Sequence, residues 1–184
     1  MISRYMRLCG AEALVFLASF YAQPVLAYET NPVIRQEADC TKVGEYPALS
    51  VLVQGINSED GNIRAQIYSS DPEEFLAKGT KLVRVDVPVK ADKALEEGEQ
   101  HLCVPVPAPG TYALVIMHDK NANGKADIFS EGFGFSNNPK LSLAPPDAEE
   151  VMIDVPAGIS RMSIQLTYMF GSSDEKDKRR KLKR

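Results

Sequence analysis

Residues 48–68 read ALSVLVQGINSEDGNIRAQIY. Leu49, Val51 and Val53 alternate with Ser50 and Gln54, and Ile63, Ala65 and Ile67 alternate with Asn62, Arg64 and Gln66. Side chains on a strand point to opposite faces in turn, so an apolar residue at every second position marks a strand with one buried face. Glu59-Asp60-Gly61 between the two runs is a turn signal. The same period recurs at Val83, Val85, Val87 and Val89 and at Met162, Ile164 and Leu166. Residues 111–117 (TYALVIM) are apolar on both parities, as a central strand requires, and short runs at 100–106 and 151–155 bring the total to about seven. Pro107-Ala108-Pro109-Gly110 and Pro156-Ala157-Gly158 punctuate the later runs. Helix signals occur only near 71–78, where Asp71 can cap, Pro72 suits the first turn and Gly79 ends the segment. The pattern predicts an all-β chain: an immunoglobulin-like, two-sheet antiparallel sandwich of about seven strands with one short helix near 71–78. A closed barrel is the alternative.

Composition agrees with a single globular domain. The chain has 184 residues, 44% hydrophobic and 25% charged, ordinary values that exclude whole-chain disorder. Its net charge of −4 excludes a generally basic, nucleic-acid-binding surface. That charge is unevenly spread. Residues 28–173 carry 12 basic and 21 acidic side chains, whereas residues 174–184 carry seven basic and three acidic.

The N-terminus reads as an export signal. Arg4 and Arg7 precede an apolar run from Ala13 to Tyr21, Pro24 breaks it, and Val25-Leu26-Ala27 offers a cleavage site. The run is shorter than the ~20 residues that cross a bilayer. The expected organisation is therefore a signal peptide over 1–27, an N-terminal segment over 28–47, a sandwich domain over 48–170 and a flexible basic tail over 171–184. Localisation is expected to be periplasmic or secreted. Cys9 leaves with the signal, so the mature chain retains Cys40 and Cys103. In an oxidising compartment a lone pair predicts a disulfide, and it would tie the N-terminal segment to a strand in mid-domain.

The polar loop after the central strand carries the main chemical signal. Asp119, Asn121, Asn123, Gly124, Lys125 and Asp127 match the start of a calcium loop, in which oxygens at alternate positions converge and glycine allows the turn. On that template Lys125 would ligate through its carbonyl. The bidentate Glu of the twelfth position is Ser130 here, with Glu131 one place later, so the expected affinity is weak, ~10⁻⁴–10⁻³ M. An ion-free ordered turn is the competing reading, because Asn and Asp favour turns by bonding to their own backbone. Ca²⁺ is the one cofactor the sequence suggests.

Beyond the loop, Gly132-Phe133-Gly134-Phe135-Ser136-Asn137-Asn138 mixes small, aromatic and amide residues. The glycines allow close backbone approach and the phenylalanines would plug the end of the sandwich. With His118, residues Phe133, Phe135, Ser136, Asn137 and Asn138 could instead form a rim gripping a protein, peptide or glycan. Taken in order, Gly110-Thr111-Tyr112-Ala113, His118-Asp119-x-Asn121-x-Asn123-Gly124-Lys125-x-Asp127 and Gly132-Phe133-Gly134-Phe135-Ser136-Asn137-Asn138 resemble the bacterial family called domain of unknown function 2141, over about residues 48–168. The resemblance implies an exported bacterial protein with an immunoglobulin-like or transthyretin-like sandwich, and no activity or catalytic residue. The family commonly has a longer insert where this chain has only Ile128 to Glu131.

No catalytic constellation is expected. His118 and Asp119 are neighbours on a strand and would face opposite ways, and Ser136 lacks the G-x-S-x-G surroundings of a nucleophile elbow. His101 falls in a strand run. The leading expectation is a non-catalytic binding module that uses the 118–139 edge. Two alternatives are a structural envelope protein, held at anionic surfaces by its basic tail, and a small hydrolase using the His118 edge.

Overall fold

A computed structural model of the chain describes residues 33–42, 46–90 and 95–170. The proposed signal segment 1–27 and the basic tail 171–184 lie outside these residues, as do parts of the 28–47 segment. Among these residues eight strands form: β1 (Ala48–Gln54), β2 (Asn62–Tyr68), β3 (Val83–Pro88), β4 (Gln100–Pro105), β5 (Gly110–Asp119), β6 (Gly132–Phe135), β7 (Met152–Val155) and β8 (Ile159–Gln165). They make two sheets, a three-stranded one in the order β4-β1-β8 and a five-stranded one running β3-β2-β5-β6, with β7 also paired to β5. The ten-residue β5 is long enough for two partners, β7 beside Gly110–Ala113 and β6 beside Val115–His118. The result is the expected sandwich. Its pairings are antiparallel except for β1 with β8, which run parallel from Ala48↔Ile159 to Gln54↔Gln165.

Period two is realised as burial. Leu49, Val51 and Val53 of β1 face Ile63, Ala65 and Ile67 of β2, with Leu114 and Ile116 of β5 and Ile164 of β8, and all nine have no exposed surface. The outer face of the five-stranded sheet is also apolar along β5. Ala113 and Val115 join Tyr68, Phe135 and Val151 in a second, smaller cluster, against which Phe75, Phe133 and Leu141 pack.

Two local expectations are corrected. Residues 71–78 form successive turns, with hydrogen bonds of the i→i+3 kind from Glu74 to Asp71, Phe75 to Pro72 and Ala77 to Glu74. The helix fails there because Leu76 sits at φ 60°, where an L residue cannot continue a right-handed helix, and Thr80 Oγ1 contacts the Glu74 and Ala77 carbonyls. The one α-helix among the described residues is α1 (Ala148–Val151), begun by Asp147, whose N–H is held at 3.1 Å by the Glu150 carboxylate. The eighth strand, β6, is the Gly-Phe-Gly-Phe run. Gly132 and Gly134 face inward: a Cβ at Gly132 would lie 2.5 Å from the Tyr168 ring, and one at Gly134 2.5 Å from Ile164 Cγ2 and 2.9 Å from the Gln165 carbonyl. Phe133 and Phe135 accordingly face outward and do not plug the sandwich end.

Cys40 and Cys103 form a disulfide with Cα atoms 5.6 Å apart. The segment before it straps one open edge of the sandwich. Ile34 bridges to Val83 on β3, and Ala38 donates its N–H to the Cys103 carbonyl on β4. The strap thus touches both sheets before the disulfide locks it.

Candidate functional site: an apolar groove with cationic lining

His118 points into the sandwich and Asp119 out of it, as adjacent strand residues must. The His118 ring has no exposed surface; its Nε2 lies 2.8 Å from the Asp60 carbonyl and its Nδ1 2.6 Å from the Tyr168 hydroxyl. A carbonyl only accepts, so Nε2 carries the proton and Nδ1 accepts from Tyr168. Burial holds His118 below its ordinary pKa and pushes the Tyr168 phenol up to about 12, so both remain neutral at physiological pH. Both ring nitrogens are committed to structural partners.

On the outer face, charged residues form a ladder across three strands. Asp86 on β3 stands opposite Arg64 on β2 and accepts from its Nε at 2.6 Å, while Arg84 Nε donates to the other Asp86 oxygen at 2.9 Å. Arg64 also reaches Asp119 on β5 at 2.7 Å. Arg64 is 3% exposed and Asp119 is fully buried, so this pair is a genuine interior ion pair.

Asp119 organises the loop that follows it. Its carboxylate accepts from the N–H groups of Asn123 at 3.1 Å and Gly124 at 2.9 Å, besides Arg64. The Asn121 side chain accepts from the Asn123 N–H, and the Asn123 side chain from the Lys125 N–H. Asp127 accepts from the Phe129 N–H and the Ser130 hydroxyl. The oxygens of the calcium-like pattern are thus engaged by the loop's own donors and by a guanidinium. Among the described residues no three His, Cys, Asp or Glu side chains converge to hold a metal. Glu131 is the exception in polar bookkeeping. It is 1% exposed, its Oε2 accepts from the Asp127 N–H, and its Oε1 has no partner. Burial, with Asp119 and Asp127 nearby, pushes its pKa above the usual carboxylate range.

The remaining rim residues are fasteners. Ser136 is buried, its Oγ accepting from the Leu114 N–H and donating to the Val151 carbonyl. Asn137 donates to the carbonyls of Glu150 and Met152. Asn138 pairs with β8 through the Ser163 carbonyl and the Gln165 N–H. Both asparagines have positive φ, 63° and 47°, which their short amide side chains tolerate. The structure therefore scatters the expected rim: His118 faces inward, Ser136, Asn137 and Asn138 bind the frame, and Phe133 and Phe135 alone line a surface concavity.

That concavity is a groove of about 400 Å³ on the outer face of the five-stranded sheet, within the size range of small-molecule sites. Val115, Met117, Phe133 and Phe135 are among its lining residues, and the lips come from three loops through Leu76, Ile128 and Leu143. These three are 37%, 42% and 71% exposed, among the most exposed large apolar residues described. Phe129 and Phe170, chain neighbours of the lining residues Ile128 and Met169, are exposed too and stack with ring centroids 4.8 Å apart. Among the described residues, the charged ones lining the groove are Arg64, Lys81 and Arg84, with no acid. The signal missed in the sequence was the double-parity run of β5. Val115 and Met117 belong to a central strand, as the pattern predicts, and their outer, largely buried face also lines the groove.

A family model described as "Uncharacterized protein conserved in bacteria (DUF2141)" matches residues 51–163, from β1 into β8 and across the whole groove-bearing sheet. No curated protein and no solved structure matches the chain. The match spans well over half of the sequence, and the chain belongs to this bacterial family.

Proposed function

We propose that the protein is an exported, non-catalytic β-sandwich binding module, periplasmic or secreted, whose ligand lies in the groove on the outer face of the five-stranded sheet. The observation that carries this reading is the gathering of exposed apolar side chains around one concavity. Leu76, Ile128 and Leu143 project at its lips above a lining that includes Val115, Met117 and Phe133. Contiguous apolar surface of this kind costs solubility unless it is used. Leu76 adds a second cost, since its φ of 60° is a strained conformation for leucine that holds an apolar side chain toward solvent. Export is supported by the N-terminal sequence pattern and fits the Cys40–Cys103 disulfide. The non-catalytic reading is supported by the engagement of His118 and Ser136 in structural hydrogen bonds. Calcium has no part in this reading, because Arg64 already supplies the positive charge at Asp119.

The test uses a neutral apolar fluorophore, N-phenyl-1-naphthylamine, and the oxidised protein. Saturable enhancement is expected, and it should fall at least about tenfold in affinity when Ile128 and Leu143 are both changed to Asp. Both side chains are exposed, so the melting temperature should hold. Unchanged fluorophore binding in that folded double variant would refute the groove as the site.

A further inference from the structure

The groove's chemistry says more about its ligand than its shape does. On a body with 12 basic and 21 acidic residues, the described residues lining the groove include three cations and no anion. Two of the three are partly neutralised: Arg64 by Asp86 and Asp119, and Arg84 by Asp86. Lys81 takes part in none of the ion pairs among the described residues. Its Nζ sits 5.4 Å from the centroid of the Tyr68 ring, itself a groove-lining side chain. Partial burial, with Arg84 and Arg64 nearby, depresses the Lys81 pKa, as expected for a cation that lacks a counter-charge. Two carboxylates therefore answer three cations here, and one positive charge is left over beside an apolar trough.

An excess cation beside an apolar groove is complementary to a molecule with an apolar body and one anionic group. Resting on the binding reading above, we infer that the ligand is a free single-chain amphiphile with a carboxylate head, its chain lying along Met117 and Phe133 and its head at Lys81 and Arg84. The C-terminal tail does not suit the groove, because its seven basic residues would meet like charge. A neutral or cationic amphiphile would leave Lys81 without a counter-charge.

The test is a calorimetric or fluorophore-displacement titration of the oxidised protein with decanoate, decanol and decyltrimethylammonium, each below its micellar concentration. Decanoate is expected to bind about tenfold more tightly than decanol, since a hydrogen bond to a charged group is worth more than a neutral one. The cationic analogue should bind most weakly. Octanoate should bind more weakly than decanoate by about fourfold per methylene removed. Lys81→Gln should bring decanoate down to the level of decanol without changing decanol itself, and Lys81→Arg should restore it. Equal binding of decanoate and decanol would overturn the carboxylate assignment and leave the groove reading standing. Failure of all three together with the fluorophore would overturn both. Sedimentation with phosphatidylglycerol vesicles, with no binding of free decanoate, would overturn the inference in favour of a membrane surface.

Discussion

At the scale of single residues, the 119–131 loop shows how one sequence pattern serves two chemistries. Alternating Asp and Asn side chains before a glycine can converge on an ion, and the same side chains can each accept from an N–H two residues ahead. In the described loop Asn121 and Asn123 accept from the Asn123 and Lys125 N–H groups, which supports the second course. What the sequence could not show is Arg64, distant in the chain and brought to Asp119 by the β2–β5 pairing. Glu131 is the loop's pH-sensitive member. Its folded-state pKa is raised, so its stabilising contribution is complete below the ordinary carboxylate range and is lost as pH climbs through the raised value. Glu131→Gln keeps an acceptor for the Asp127 N–H and removes a carboxylate whose charge burial and the neighbouring Asp119 and Asp127 disfavour. The variant should melt higher than the parent at neutral pH, and the gap should close as pH falls toward the ordinary carboxylate range. Parallel melts in millimolar Ca²⁺ and in chelator should coincide; a Ca²⁺-specific rise abolished by Glu131→Gln would instead make the loop an ion site.

At the scale of elements, legibility followed how local each cause was. Strands whose buried face is written as alternation, β1, β2, β3 and β8, were readable because side-chain direction depends only on the chain's own pleat. The segment at 71–78 was not, since its end is decided by Leu76 at positive φ and by the Thr80 hydroxyl, neither of which a capping pattern reveals. Strand β6 was hidden for another reason. Its glycines are demanded by what lies across the sandwich, Tyr168 and Ile164, and not by any turn. This makes a sharp prediction for Gly134→Ala. The new methyl meets Ile164 Cγ2 and the Gln165 backbone, so the variant should lose about 1–3 kcal/mol in denaturant unfolding, as overpacked cores do. A neutral result would mean that β6 can move away from β8.

Across the whole molecule, the two sheets of the sandwich are tied together by a strap. The segment through Ile34, Ala38 and Cys40 touches β3 and β4, on different sheets, and its disulfide spans 63 positions. Cross-links over loops of this length stabilise chiefly by restricting the unfolded chain. Replacing both Cys40 and Cys103 by Ser should cost about 2–5 kcal/mol in chemical denaturation while leaving groove ligands bound at unchanged affinity in the folded fraction. The strap was foreseeable from Cys40 and Cys103, read on the expectation of an oxidising compartment. The groove was not, because it arises where the outer side of β5 meets apolar loops from three separate stretches of chain.

The most direct measurement is a methyl-resolved NMR titration of the oxidised protein with decanoate. The methyls of Met117, Ile128 and Leu143 in the groove should shift and saturate together, while Leu49 and Val53, buried between the sheets on β1, stay in place. Shifts confined to another surface would contradict the assignment of the outer sheet face as the ligand site, and none at the solubility limit of decanoate would contradict the carboxylate amphiphile.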